Sequence, residues 1–359
     1  MSRKDSQLLP GKRILVIRYR FIGDTILTGP FLKNLRLAYK DARIDVLVGP
    51  QSGEVLDGCP YVDELITFDT TRFHKYDSGA GEKKSFWSYV ALLRKRNYDL
   101  VFVLKRSWSS AVLALLTGAA NRIGYATEGR QILLTHSVPW NPHQHEVQST
   151  LDVLRSANVP VVDDTLEGWI SEKEQSEIEI MVPQLRQIKN GVLIHAAAAH
   201  PDKIYPSQKW AQVIQRLHER WQLVPFFTGA SRDIELYDQL QTLSGVSGVN
   251  LAGKLTLRQS MALYKNMQLA VCVDSGPAHL AAAVGTPTAA IFGPTDPERW
   301  RPYGAKTLAI YDETLACRPC HYKKTCVDRP CLTQLDPERI VDGCATLLEA
   351  TKNFACQGN

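Results

Sequence analysis

The chain has 359 residues, 44% of them hydrophobic and 22% charged. That length points to two domains, and the composition excludes both an intrinsically disordered chain and a disulfide-stapled miniprotein. The net charge of +5 is uneven, with 22 Lys and Arg against 15 Asp and Glu in residues 1–160, about +7, and about −2 in the remainder. A basic excess spread in this way forms a solvated face, or one that attracts an anionic substrate or membrane surface.

Short β-branched apolar runs alternate with helical patterns, which predicts parallel sheets covered by helices. Strands are expected at 13–18, 44–48, 64–68 and 99–104, with helical periodicity at Phe31, Leu35 and Ala38 and again over 87–93. The Gly-, Ser- and Lys-rich stretch 76–85 reads as an exposed loop. Proline and acids at 159–165 close the first domain, taken as 1–165, and a polar helix over 171–187 opens the second, 166–359. There, strands are expected at 192–195, 223–227, 269–273 and 288–292, and helices at 209–220, 233–243 and 278–284. A last helix from 336 to about 352 can pack back on the first domain. The fold class is therefore α/β, two parallel-sheet domains with a ligand cleft at the carboxyl ends of both sheets. Residues 1–13 hold no signal-peptide core, and nowhere do about 18 uncharged apolar residues run together, so a cytoplasmic protein is expected.

Three segments carry chemistry. In RYRFIGDTILTGP, Gly23 allows a turn after a strand and Asp24 stands where a helix should begin; capping of that helix and general-base catalysis are both open to it. Pro30 suits a kink or an early helical position. In HAAAAHPDKIYPSQKW, a strand delivers His195 to a loop of small residues followed by Lys203, a candidate diphosphate ligand, with a helix starting near Pro206, Ser207 and Trp210. In VDSGPAHLAAAVGTPTAAIFGPTDPERW, a strand runs into Asp274, Ser275, Gly276 and Pro277 at a helix start, whose amides and dipole suit phosphate. A second turn, Gly293-Pro294-Thr295, should lie beside the first if their strands are neighbours. Cys317, Cys320, Cys326 and Cys331 crowd one segment, as in a structural Zn or Fe site. Phosphate-loop, dinucleotide-fingerprint, nucleophile-elbow and H-E-x-x-H motifs are all absent from the sequence.

Together these segments resemble the ADP-heptose:lipopolysaccharide heptosyltransferases, glycosyltransferase family 9, over residues 13–350. The resemblance implies a GT-B architecture, two Rossmann-like domains facing across a cleft, with the acceptor on the first and the ADP-sugar on the second. It implies an inverting transfer of heptose from ADP-heptose to the lipopolysaccharide core, with Asp24 as base and Lys203 on the diphosphate. Asp274, Ser275, Gly276, Pro277 and His279 fall on the pyrophosphate motif, and Asp233 or Glu235 on the ribose position. No cofactor is required for catalysis, and no nucleic acid is a partner. The partners implied are ADP-heptose and a lipid A-core acceptor at the inner leaflet, reached by a cytoplasmic protein peripheral to the inner membrane. Alternatives are a heptosyltransferase of autotransporter proteins and a non-catalytic ADP-sugar sensor. Two features depart from many relatives: four alanines at 196–199 replace hydroxyl residues, and the cysteine cluster occurs in only part of the family.

Overall fold

The computed structural model describes residues 9–69, 85–322, 326 and 328–357. Of the expected loop at 76–85, only Ser85 lies within the described residues. The chain forms two compact units, Met1–Trp169 and Ile170–Asn359.

The first unit is built on β1 (Arg13–Ile17), β2 (Arg43–Val48), β3 (Glu64–Thr67), β4 (Leu100–Val103), β5 (Asn121–Tyr125) and β6 (His136–Val138). They form one parallel sheet in the order β3-β2-β1-β4-β5-β6. The central strands are apolar throughout because helices cover both faces. Asp45 in β2 is the exception: its buried carboxylate accepts bonds from Arg96 and from the Tyr98 hydroxyl. Helix Gly29–Ala38 carries Pro30 at its second position, where its missing N–H costs nothing, and buries Phe31 edge-on against Phe102 at 5.2 Å.

The second unit repeats the plan with β7 (Gly191–His195), β8 (Val224–Phe227), β9 (Val249–Asn250), β10 (Leu269–Val273), β11 (Thr288–Ile291) and β12 (Thr307–Ile310), all parallel, ordered β12-β11-β10-β7-β8-β9. The expected polar helix over 171–187 is two helices, Glu172–Met181 and Gln184–Gln187, because Pro183 interrupts the run. Ser171 and Glu174 form a reciprocal capping box at its start. Trp210 and Leu217 of helix Ser207–Trp221 enter the core, and helix Pro337–Gln357 packs on that helix and on β10, β11 and β12.

Counted from its first strand, each sheet has the same order, reversing between its first and fourth strands. A crevice therefore opens at the carboxyl ends of β1 and β4 in one unit and of β7 and β10 in the other, the place where open α/β sheets bind ligands. The three segments singled out from the sequence leave the sheets at three of these strand ends, those of β1, β7 and β10.

Candidate active site

After β1 the chain runs through Arg18 into the short helix Ile22–Ile26. The helix starts before Asp24, so Asp24 is its third residue and Phe21 its cap. The Phe21 amide donates to Asp24 Oδ2 at 3.4 Å, a long bond, so capping absorbs little of this carboxylate. Its shorter contact is with Arg18, whose Nη2 lies 2.9 Å from Asp24 Oδ1. The same Nη2 donates to Glu146 Oε1 at 2.8 Å, while Arg18 Nη1 donates to the Leu104 carbonyl at 2.7 Å. Glu146, the first residue of helix Glu146–Ser156, is buried and also accepts from Arg106 Nη1 at 3.3 Å. Arg106 follows β4 and lies over the Trp140 ring, 4.6 Å from its centroid, and Lys105 lies 4.0 Å from the centroid of the Tyr19 ring. Burial holds the Asp24 carboxyl above the usual carboxylate range; Arg18 opposes that shift and Glu146 adds to it.

Sequence reasoning found Asp24 and missed Glu146 and Arg106. Glu146 lies 128 residues from Arg18, and nothing local in the sequence distinguishes it from a first-turn acid stabilising a helix. Arg106 offered one signal, the second of two basic residues, Lys105 and Arg106, shortly after a buried strand.

In the second unit, β7 ends at His195, which is buried and near Thr228, with its pKa lowered to about 4 by burial. The alanines that follow pass inward: Ala196 and Ala197 are buried. Lys203 ends the 3-10 turn Pro201–Lys203, and its Nζ lies 2.7 Å from Asp274 Oδ2. Burial works against the lysine's charge, but Asp274 and the Tyr322 hydroxyl outweigh it and raise the pKa. Asp274 is buried at the end of β10 and also accepts from the Thr295 hydroxyl. The neighbouring β10 and β11 thus bring the second Gly-Pro turn against the first. Gly293 suits this close approach, because a Cβ would stand 3.0 Å from Leu332 and 3.2 Å from the Asp202 carbonyl, tight enough that a neighbour would have to shift. Asp274 accordingly organises Lys203 from below.

Helix Gly276–Ala283 begins as expected, but Pro277 has no N–H and the Ala278 amide donates to the Ser275 carbonyl. The loop therefore offers fewer free amides than its sequence suggests. Ser275 Oγ donates to the Val273 carbonyl, and His279 is buried within the helix. Asp233 and Glu235 separate: Asp233 Oδ2 accepts from the Ala230 amide and its charge acts on His195, whereas Glu235 is exposed on the first turn of helix Ile234–Ser244.

The segment after β12 folds over the second Gly-Pro turn. Arg318 Nε donates to the Gly293 carbonyl at 2.6 Å, the Cys320 and His321 amides donate to the Pro294 carbonyl, and Tyr322 stacks on His200 at 4.0 Å. The same segment carries the cysteines expected to hold a metal, Cys317, Cys320, Cys326 and Cys331. The four thiols are free, Cys317 and Cys326 exposed and Cys331 buried. Among the described residues, no three His, Cys, Asp or Glu side chains group so as to hold a metal ion.

Paired Rossmann-like units with ionisable groups at both switch points describe a glycosyltransferase of GT-B architecture. Residues 86–330 match the model of glycosyltransferase family 9 (heptosyltransferase), and the chain belongs to that family. Lipopolysaccharide heptosyltransferase 3 of Escherichia coli is 32% identical, over 81% of this chain and 86% of its own. Lipopolysaccharide heptosyltransferase 1 of Pseudomonas aeruginosa is 25% identical over 94% of this chain and 97% of its own. Among solved structures, a family 9 glycosyltransferase from Veillonella parvula superposes with a TM-score of 0.80 at 23% identity, covering 94% of this chain and 98% of its own. The Escherichia coli ADP-heptose heptosyltransferase II gives 0.74 at 23% identity, covering 95% and 99%.

Proposed function

We propose that this enzyme transfers heptose from ADP-heptose to the lipopolysaccharide core with inversion at the anomeric carbon. An acceptor hydroxyl oxygen bonds to the anomeric carbon, its proton passes to Asp24, and the bond from that carbon to the β-phosphate oxygen breaks, releasing ADP. Lys203, steadied by Asp274, meets the charge that develops on the departing diphosphate, the point at which fixed positive charge lowers a barrier most. The start of helix Gly276–Ala283 adds its positive dipole end, and Asp233 or Glu235 meets the ribose.

The observation that carries this reading is the presence of a carboxylate held above its usual pKa at one sheet's switch point and of a half-buried, carboxylate-steadied lysine at the other's. A binding protein needs the second and has no use for the first. Acceptors built on lipid A bear anionic groups, which the excess positive charge of residues 1–160 would draw in at the inner leaflet. No helix among the described residues is long and apolar enough to cross a membrane.

The test is the mass of the product formed from ADP-heptose with lipopolysaccharide from heptose-deficient cells, run beside an autotransporter protein acceptor. A gain of one heptose on the lipid is expected. Heptose on the protein alone, or ADP-heptose bound without turnover, would overturn the proposal in favour of the protein-modifying enzyme or the sensor.

A further inference from the structure

Arg18 Nη2 is shared between two carboxylates, Asp24 Oδ1 at 2.9 Å and Glu146 Oε1 at 2.8 Å. Glu146 in turn divides its oxygens between Arg18 and Arg106. The result is a chain of alternating charge, Asp24, Arg18, Glu146, Arg106, drawn from the ends of β1 and β4, a short helix and the start of helix Glu146–Ser156. Three members are anchored for reasons unrelated to Asp24. Arg18 is fixed by the Leu104 carbonyl, Glu146 by its first-turn position on a helix capped by His145, and Arg106 by the Trp140 ring.

We infer that Glu146 is a positioning residue for the transfer reaction, which, by holding Arg18 from the far side, keeps that guanidinium from fully neutralising Asp24 and so preserves Asp24 as a base. The inference rests on the reading of Asp24 given above. An arginine paired to one carboxylate alone stabilises its ionised form and makes it a poor proton acceptor. An arginine shared with a second, buried carboxylate still orients the first through a hydrogen bond but spends much of its charge elsewhere. Arg106 works in the opposite sense, drawing on Glu146 from its other side. Around this cluster Tyr125 faces Arg18, and the short helices packed against Ile22–Ile26, Pro50–Gly53 and Glu54–Leu56, add one ionisable side chain, Glu54. Burial and Glu146 both raise the Asp24 pKa against the pull of Arg18 and Arg106, in keeping with this division.

The experiment is the pH dependence of kcat/KM for heptose transfer in the full-length enzyme and two variants. In Glu146→Gln the acidic limb should move down by about one pH unit, and turnover on the plateau should fall by roughly three- to tenfold as the base weakens. Arg106→Gln should move the limb the other way, because Glu146 then bears wholly on Arg18. A purely structural role for Glu146 would lower the amount of active enzyme without moving the limb. An unmoved limb in folded Glu146→Gln overturns the inference, as does a downward shift in Arg106→Gln. If Glu146→Gln does not fold, Arg106→Gln alone decides. Asp24→Asn separates this from the underlying reading: a residual activity that keeps the same acidic limb would show that the limb never belonged to Asp24.

Discussion

Asparagine at position 24 isolates the proton-accepting role from everything else the aspartate does. Its single acceptor oxygen can stay on Arg18, where Asp24 Oδ1 lies 2.9 Å from Nη2, and the bond given up is the long one of 3.4 Å from the Phe21 amide to Oδ2, so the guanidinium keeps its place and the short helix loses little. Under the proposed reaction, transfer should drop by roughly a hundred- to ten-thousandfold while the Kd for ADP, measured by calorimetry, stays as it was. Lys203→Ala should give the complementary result. Loss of a charge-assisted contact of about 1.5–3 kcal/mol weakens ADP binding by about ten- to a hundredfold. It also leaves Asp274 buried without its cation, so Tm should fall as well. Near-normal turnover in the first variant or an unchanged Kd in the second would remove the corresponding assignment.

At the scale of elements, the segment 312–322 is the one whose disturbance should be felt at a distance. It touches Lys203 through Tyr322 and grips the Gly293-Pro294-Thr295 turn through Arg318, Cys320 and His321. Cys317 and Cys326 are exposed, whereas Cys272 and Cys344 are buried with thiols pushed far above their ordinary pKa. A thiolate reagent should therefore modify Cys317 and Cys326 first and leave Cys272 and Cys344 until the chain unfolds. Mass spectrometry of briefly labelled protein checks the order, and the labelled enzyme should bind ADP more weakly. The strands that the sequence announced are β1, β2, β3, β4, β7, β8, β10 and β11, and all but the margin strand β3 (ELIT) are near-continuous apolar runs inside a sheet. β5 (NRIGY), β6 (HSV), β9 (VN) and β12 (TLAI) went unread because a strand at or next to a sheet margin is short and half polar, and its signal comes from the partner it pairs with. The site divided in the same way. Asp24, Lys203 and Asp274 lie on the segments that leave β1, β7 and β10 and were legible, whereas Glu146 and Tyr322 arrive from remote segments and take their meaning only from what they meet.

For the molecule as a whole, the balance of ion pairs points to sensitivity toward acid. Glu174, paired with Arg258 in the second unit, is lowered from 4.5 to about 2, and Asp163, beside Lys33 in the first, from 3.8 to about 2. Stability from these groups is complete above their ordinary pKa values and is lost as pH falls toward 2. His195 acts at higher pH. Burial lowers it from 6.5 to about 4, so the fold favours the neutral ring and loses stability as pH falls through that interval. Calorimetry should show Tm declining from pH 7 to pH 4 and more steeply below 4.5, with Arg258→Gln flattening the lower part; a Tm constant over that range would contradict the argument. The repeated strand order has a further consequence for design. Each unit closes its own sheet and brings its ionisable groups to its own switch point, so the two halves are natural parts for exchange. A chimera joined between Trp169 and Ile170, with its second half taken from a relative that uses a different sugar nucleotide, should inherit the new donor and keep the old acceptor.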